Sequence, residues 1–237
     1  MNKLPDLHNV LYAGKYDCVF VTESWLYADI PNGLLDPDNK YSVYRKDRNL
    51  HRGGGVCMFI ANKLNYRELL LSESENFSDE EIDLAIIDII SKQQQYRFML
   101  VYRRPVGGDT GSAASNKLCS ILRRRINRVG PTFLIGDFNC PGIDWSFRVP
   151  SSNKAELPIY EFFHCNGFTQ CVPEATRGDN TLDVVCTDEP ILVSNISVQP
   201  PFADSDHDSV DFELLFDGDS QADDNSTAKR YLWSQGN

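Results

Sequence analysis

Short unbroken apolar runs alternate along this chain with clusters of Gly, Pro, Asp and Asn. Residues 16–22 (YDCVFVT), 83–90 (DLAIIDII), 96–102 (YRFMLVY) and 133–136 (FLIG) are too short for helices. Each predicts a strand buried on both faces. Residues 53–62 (GGGVCMFIAN) open on a glycine run and predict another, and 182–187 and 211–216 predict the last two. The polar SKQQQ at 91–95 predicts a hairpin loop.

Two stretches change to the helical period. Residues 113–129 repeat Leu118, Ile121, Leu122 and Ile126 at helical spacing, with Arg123, Arg124, Arg125 and Arg128 mostly on the other faces. Those arginines read as a solvated face rather than a phosphate-tracking patch. Residues 155–165 (AELPIYEFFHC) predict a second helix, interrupted near Pro158. Strands that alternate with helices, yet are partly joined by hairpins, predict an α/β fold of mixed sheets with helices outside.

Bulk properties narrow this picture. A chain of 237 residues, 41% hydrophobic, with no linker in its middle, suits one large domain over residues 1–216. From Asp217 the polar, acidic DGDSQADDNSTAKR has no apolar period and predicts a linker or disordered tail over 217–237. No segment approaches the ~18 uninterrupted apolar residues of a membrane span, and the first residues lack a signal-peptide pattern. The seven cysteines form no CxxC pair and lie mostly within apolar runs, which predicts reduced, buried thiols in an intracellular protein, nuclear or cytoplasmic. A net charge of −11 argues against a simple electrostatic grip on nucleic acid. It does not exclude a nucleic-acid enzyme, because a divalent cation can supply local positive charge.

The candidate chemistry sits where strands end. VFVTESW delivers Glu23, FMLVYRRP delivers Tyr102, Arg103 and Arg104, and FLIGDFN delivers Asp137 and Asn139. NTLDVVCT places Asp183 inside an apolar strand, and ADSDHDSV supplies Asp204, Asp206, His207 and Asp208. Each piece alone has an ordinary reading: a turn, a helix-start acid or a solvated loop histidine. Ends of neighbouring strands lie close together, so jointly these groups could converge on one cleft.

TESWL, GGGV, VYRRP, IGDFN, TRGDNTLDVV and SDHDSV together strongly resemble the endonuclease/exonuclease/phosphatase superfamily. More narrowly, the chain resembles the apurinic-type endonuclease domain of LINE-like non-LTR retrotransposons, of the chicken-repeat or jockey-like kind, from near residue 1 to about residue 216. The resemblance implies a DNase I-like four-layer α/β sandwich, two mixed sheets packed face to face. It implies Asp137 as general base and Asn139 as the group orienting the attacking water or scissile phosphate. His207 would hydrogen-bond the phosphoryl oxygens, Asp183 would fix its tautomer, and Tyr102 would contact the scissile phosphate. Thr176 and Ser205 match secondary phosphate-contacting positions. Glu23 and Asp206 match metal-site residues, with Mg²⁺ as the ion and Mn²⁺ as its alternative.

The activity implied is a Mg²⁺-dependent nick in DNA that leaves a 3′-hydroxyl to prime reverse transcription. DNA would be the substrate, a reverse transcriptase of the same element the partner expected in cis, and no membrane is implied. The pattern departs from the family in two places. The family's first strand, with its active-site asparagine, is expected to be missing, because MNKLPDLH begins directly at the first helix; Arg104 stands where proline is usual. Two alternatives stay open: a catalytically dead remnant that at most binds DNA or a partner, and a phosphodiesterase of the same fold acting on lipid or inositol phosphates.

Overall fold

Helix α1 (Leu4–Ala13) opens the chain with Pro5 in its first turn, where a missing N–H leaves no helical bond unmade. Strand β1 (Cys18–Thr22), the single turn α2 (Asn32–Leu35), β2 (Tyr41–Lys46), β3 (Val56–Ala61) and β4 (Asn65–Glu68) follow. The long hairpin β5 (Ile82–Ser91) and β6 (Gln94–Arg103) leads to α3 (Gly108–Arg125), β7 (Thr132–Asp137), α4 (Leu157–Cys165) and β8 (Thr169–Gln170). Then come β9 (Asp183–Thr187), β10 (Val193–Pro201), β11 (Asp208–Leu214) and β12 (Ala228–Ser234). The structure, a computed structural model, describes residues 3–14, 16–48, 53–77, 81–92, 94–216 and 228–234, the last segment by its backbone.

The strands form two six-stranded mixed sheets, ordered β10-β11-β12-β1-β3-β2 and β4-β5-β6-β7-β9-β8. Their alternation explains why each strand reads as a continuous apolar run. In β1, Cys18 and Phe20 enter the core between the sheets, while Val19 and Val21 face Leu7 and Leu11 of α1 and Leu35 of α2. In β6, Phe98, Leu100 and Tyr102 enter the same inter-sheet core, while Met99 and Val101 face Leu118, Leu122 and Phe162 of α3 and α4. Phe20, Phe98 and Phe133 stack through the middle, with centroids 5.6 and 5.0 Å apart. Each such ring contributes roughly 1.5–3 kcal/mol by burial alone. The order helix, sheet, sheet, helix is the four-layer sandwich expected.

Helix limits differ in instructive ways. α3 begins at Gly108, ahead of the apolar stripe, and stops at Arg125 because Ile126 turns to extended backbone and the Asn127 N–H goes to Thr132 Oγ1. Pro158 does not interrupt α4 but lies in its first turn. The seven cysteines form no disulfide; Cys165 is exposed and Cys171 half-buried, and the other five are buried as expected.

Ala228–Ser234, within the stretch that reads as linker or tail, pairs inside the first sheet, parallel to β1 and antiparallel to β11. It supplies backbone partners between two strands that would otherwise face each other with open edges. Its neighbouring residues 217–227 and 235–237 lie outside the described residues. The acidic composition before it hides this short strand from a composition-based reading.

Gly136 shows how tightly β7 is seated. At φ +131° a side chain is strained, and an added Cβ would lie 1.9 Å from the Val101 carbonyl oxygen of β6. Gly136→Ala is expected to destabilise the fold by about 2–4 kcal/mol, read as a shift in urea midpoint.

Candidate active site

Strand register builds the site. Asp83 on β5 pairs with Tyr102 on β6, Tyr102 with Asp137 on β7, and Asp137 with Asp183 on β9. Four polar side chains therefore stand in one row across the second sheet, at one end of the sandwich, on the face toward the first sheet. The first sheet contributes from its own strand ends: Glu23 directly follows β1, and His207 directly precedes β11.

Asp137 and Asp183 are buried, 1% and 0% exposed, and stand directly opposite each other on antiparallel strands. Two carboxylates so placed repel. Burial first, then the Asp183 charge, hold the Asp137 carboxyl well above the usual carboxylate range, although His207 and the Asn139 N–H pull it down. His207 relieves the crowding. Its Nδ1 lies 2.7 Å from Asp183 Oδ2, and the ring is 2% exposed. Burial works against a charged imidazole, but the Asp183 hydrogen bond and charge, with Asp137 adding, outweigh it and raise His207 to about 9. The pair thus favours an imidazolium with its other N–H free to be offered to an anion.

Asn139 takes a left-handed backbone at φ +46°. That turn folds it back on Asp137: its N–H donates to Oδ1 at 2.9 Å and its Nδ2 to Oδ2 at 2.7 Å. Glu23, also left-handed at φ +50°, accepts from Trp25 Nε1 at 3.3 Å. Its segment is pinned by Ser24 and Trp25 N–H groups donating to the Gly55 and Gly54 carbonyls. The glycine run permits that approach, since a Cβ on Gly55 would lie 2.8 Å from Ser24 Oγ. Tyr102 remains a neutral O–H donor, because burial, a hydrogen bond to Glu23 and the charges of Glu23 and Asp137 push its phenol up.

The remaining expected residues lie around this centre. Thr176 is fully buried, and its Oγ1 accepts from the Leu182 and Asp183 N–H groups, both at 3.0 Å. Ser205 Oγ accepts from the His207 N–H at 3.0 Å. Both hydroxyls thus sit behind the Asp183–His207 pair. Asp206 turns away to an ion pair with the half-exposed Arg177.

Asp83 and Arg48 are members that sequence reasoning missed. Arg48 Nε donates to both Asp83 oxygens, at 3.2 and 2.9 Å, its guanidinium lies over the Tyr102 ring at 5.4 Å, and the Gly55 N–H donates to Asp83 at 2.8 Å. The signal available was a lone acid opening an apolar run, which does not reveal the register that puts it beside Tyr102.

The two carboxylates of this cluster fit a hard divalent cation, whereas His207 as an imidazolium has no lone pair to give one. Ligand atoms of Asp137, Asp183 and His207 all lie within 4.8 Å of one another, and Asp183 Oδ1 is buried without a hydrogen-bond partner. Buried carboxylate oxygens of this kind are the ligands that hard divalent cations take. Glu23 stands outside that group but near enough for its charge to raise Asp137 further.

Comparison with known proteins agrees with this fold. Residues 96–211 match the family model described as endonuclease-reverse transcriptase. The fold matches the AP endonuclease LMAP from Leishmania major, with a TM-score of 0.63, 17% identity, and 87% of this chain and 80% of that one covered. It matches the endonuclease domain of TRAS1, a telomere-specific non-LTR retrotransposon, with a TM-score of 0.62 and 11% identity over 90% and 91% of the chains. A 3′ phosphatase, NExo from Neisseria, bound to a product DNA hairpin, gives a TM-score of 0.68 and 15% identity over 91% and 95%. No curated protein sequence matches the chain. The fold is thus the DNase I-like α/β sandwich, and residues 96–211 carry the likeness to the endonuclease-reverse transcriptase family. No described helix is long and apolar enough to cross a membrane.

A pH dependence follows from the buried pair. A group whose folded pKa is raised contributes stability that is fully present below its unfolded value, about 6.5 for histidine. That contribution is lost as pH rises through about 9. In EDTA, the urea midpoint is expected to fall between about pH 7 and 9, and His207→Gln should flatten that slope.

Proposed function

We propose that the chain is a divalent-metal-dependent endonuclease that nicks DNA and leaves a 3′-hydroxyl to prime reverse transcription by its element's polymerase. The observation that carries this reading is the buried row Tyr102–Asp137–Asp183 facing Glu23 and His207. The match of residues 96–211 to an endonuclease-reverse transcriptase family supports the link to retrotransposition.

In this reading Asp137 accepts a proton from the attacking water, which Asn139 orients. Water adds to phosphorus as its proton passes to Asp137, the bond to the 3′ oxygen breaks, and that oxygen leaves as an alkoxide that takes a proton from solvent water, leaving the phosphate on the 5′ side. The His207 N–H that Asp183 leaves free, together with the neutral Tyr102 hydroxyl, donates to phosphoryl oxygens as negative charge builds. Asp183 holds the imidazole in orientation. Asp137 and Asp183, with Glu23 beside them, would hold Mg²⁺ or Mn²⁺, which supplies charge neutralisation at the phosphate when bound.

Nicking of supercoiled plasmid in Mg²⁺ tests the proposal. Asp137→Ala should lower the rate by roughly 10²–10⁴-fold, and EDTA should abolish it. The nicked strand should be extended by a polymerase without prior phosphatase treatment. Nicking that persists in EDTA or in Asp137→Ala would overturn the assignment, and a soluble, folded chain without nicking would make it a dead remnant.

A further inference from the structure

Arg103 carries a buried charge that this chemistry does not use. It is 3% exposed, and the partners of its guanidinium are carbonyls, a hydroxyl and, more distantly, the Cys140 Sγ at 3.9 Å. Nε donates to Ser115 Oγ at 3.0 Å, Nη1 to the carbonyls of Phe138 at 3.2 Å and Asn139 at 3.0 Å, and Nη2 to that of Ala155 at 3.0 Å. Ser115 Oγ in turn donates to the Ala155 carbonyl at 2.6 Å. Taking a guanidinium out of water is costly, and charge-assisted hydrogen bonds offset that cost only where acceptors are held in place for it. Two of these acceptors belong to the turn that carries Asp137 and Asn139.

The same residue grips that turn from the other side. Its main-chain carbonyl accepts Asn139 Nδ2 at 2.9 Å, the amide that also donates to Asp137 Oδ2. Along β6, Tyr102 enters the inter-sheet core while Arg103 reaches Ser115 of α3 on the opposite face. One strand end therefore supplies a donor on the site side and a brace behind it.

We propose that Arg103 is a positioning residue. It fixes the left-handed turn at Asn139, and through it the direction of the Asp137 carboxylate, so that turnover rather than substrate affinity depends on it. The proposal rests on the nuclease reading above. Lysine keeps the charge but, as a single point, cannot span Ser115, the 138–139 carbonyls and Ala155 as the planar fork does.

The test compares full-chain wild type, Arg103→Lys, Arg103→Met and Ser115→Ala. It reads steady-state nicking, thermal melting and NMR exchange of the Asn139 side-chain amide. Arg103→Lys should lower kcat by roughly 10²-fold, as a displacement of the reacting group does. KM should stay within about twofold of wild type. Ser115→Ala should fall between the two. The Asn139 amide should exchange slowly in wild type and quickly in Arg103→Lys while core backbone amides stay protected. If Arg103→Met does not fold, the lysine and Ser115→Ala variants carry the comparison. Wild-type kcat in Arg103→Lys, or a loss that only tracks melting, would overturn the proposal. If wild type does not nick, the nuclease reading fails and amide exchange alone decides: equal protection overturns the positioning role, lost protection supports it.

Discussion

Two buried carboxylates placed opposite each other on neighbouring strands form an arrangement that a fold can hold only if something compensates for it. Asp137 and Asp183 are in that position because the antiparallel pairing of β7 and β9 runs in register to the last residue of β7 and the first of β9. What compensates is His207, delivered from the other sheet and hydrogen-bonded to Asp183. The site therefore depends on the two sheets meeting correctly. If they separated at this end, two carboxylates would stand in the core without their cation, at a cost of several kcal/mol.

The rest of the site builds outward from that constraint. The inter-sheet core of Phe20, Phe98 and Phe133 fixes the spacing of the sheets. Gly136 lets β7 press against β6, so that Tyr102 and Asp137 lie side by side. Left-handed turns at Glu23 and Asn139 bring each chain end back onto its own acid or its neighbour. Such strained backbones persist where surrounding contacts over-determine them, and here those contacts are the Gly54–Gly55 carbonyls on one side and Arg103 on the other.

Much of this was legible in the sequence, for physical reasons that differ from residue to residue. Doubly buried strands read as apolar runs because both faces are covered; Asp137 and Asn139 stood out as polar groups ending such a run, Asp183 as an acid inside one, and His207 within the polar ADSDHDSV cluster. Thr176 and Ser205 were singled out for their motifs, but their burial behind the histidine depends on how two loops close. Asp83, Arg48 and Arg103 were not legible as site members, because register and side-chain direction across the sheet decide their roles. β12 was hidden by the acidic stretch before it, and β2, β4 and β10 because half-exposed strands lack the apolar run on which a periodicity reading depends.

The titration of the His207 ring resonances by NMR, in metal-free protein, addresses the compensating charge most directly. A midpoint near 9 is the result this account predicts, and Asp137→Asn should lower it. A midpoint near 6.5, the ordinary histidine value, would contradict it. The two carboxylates would then not be balanced by an imidazolium, and the site would need another source of positive charge.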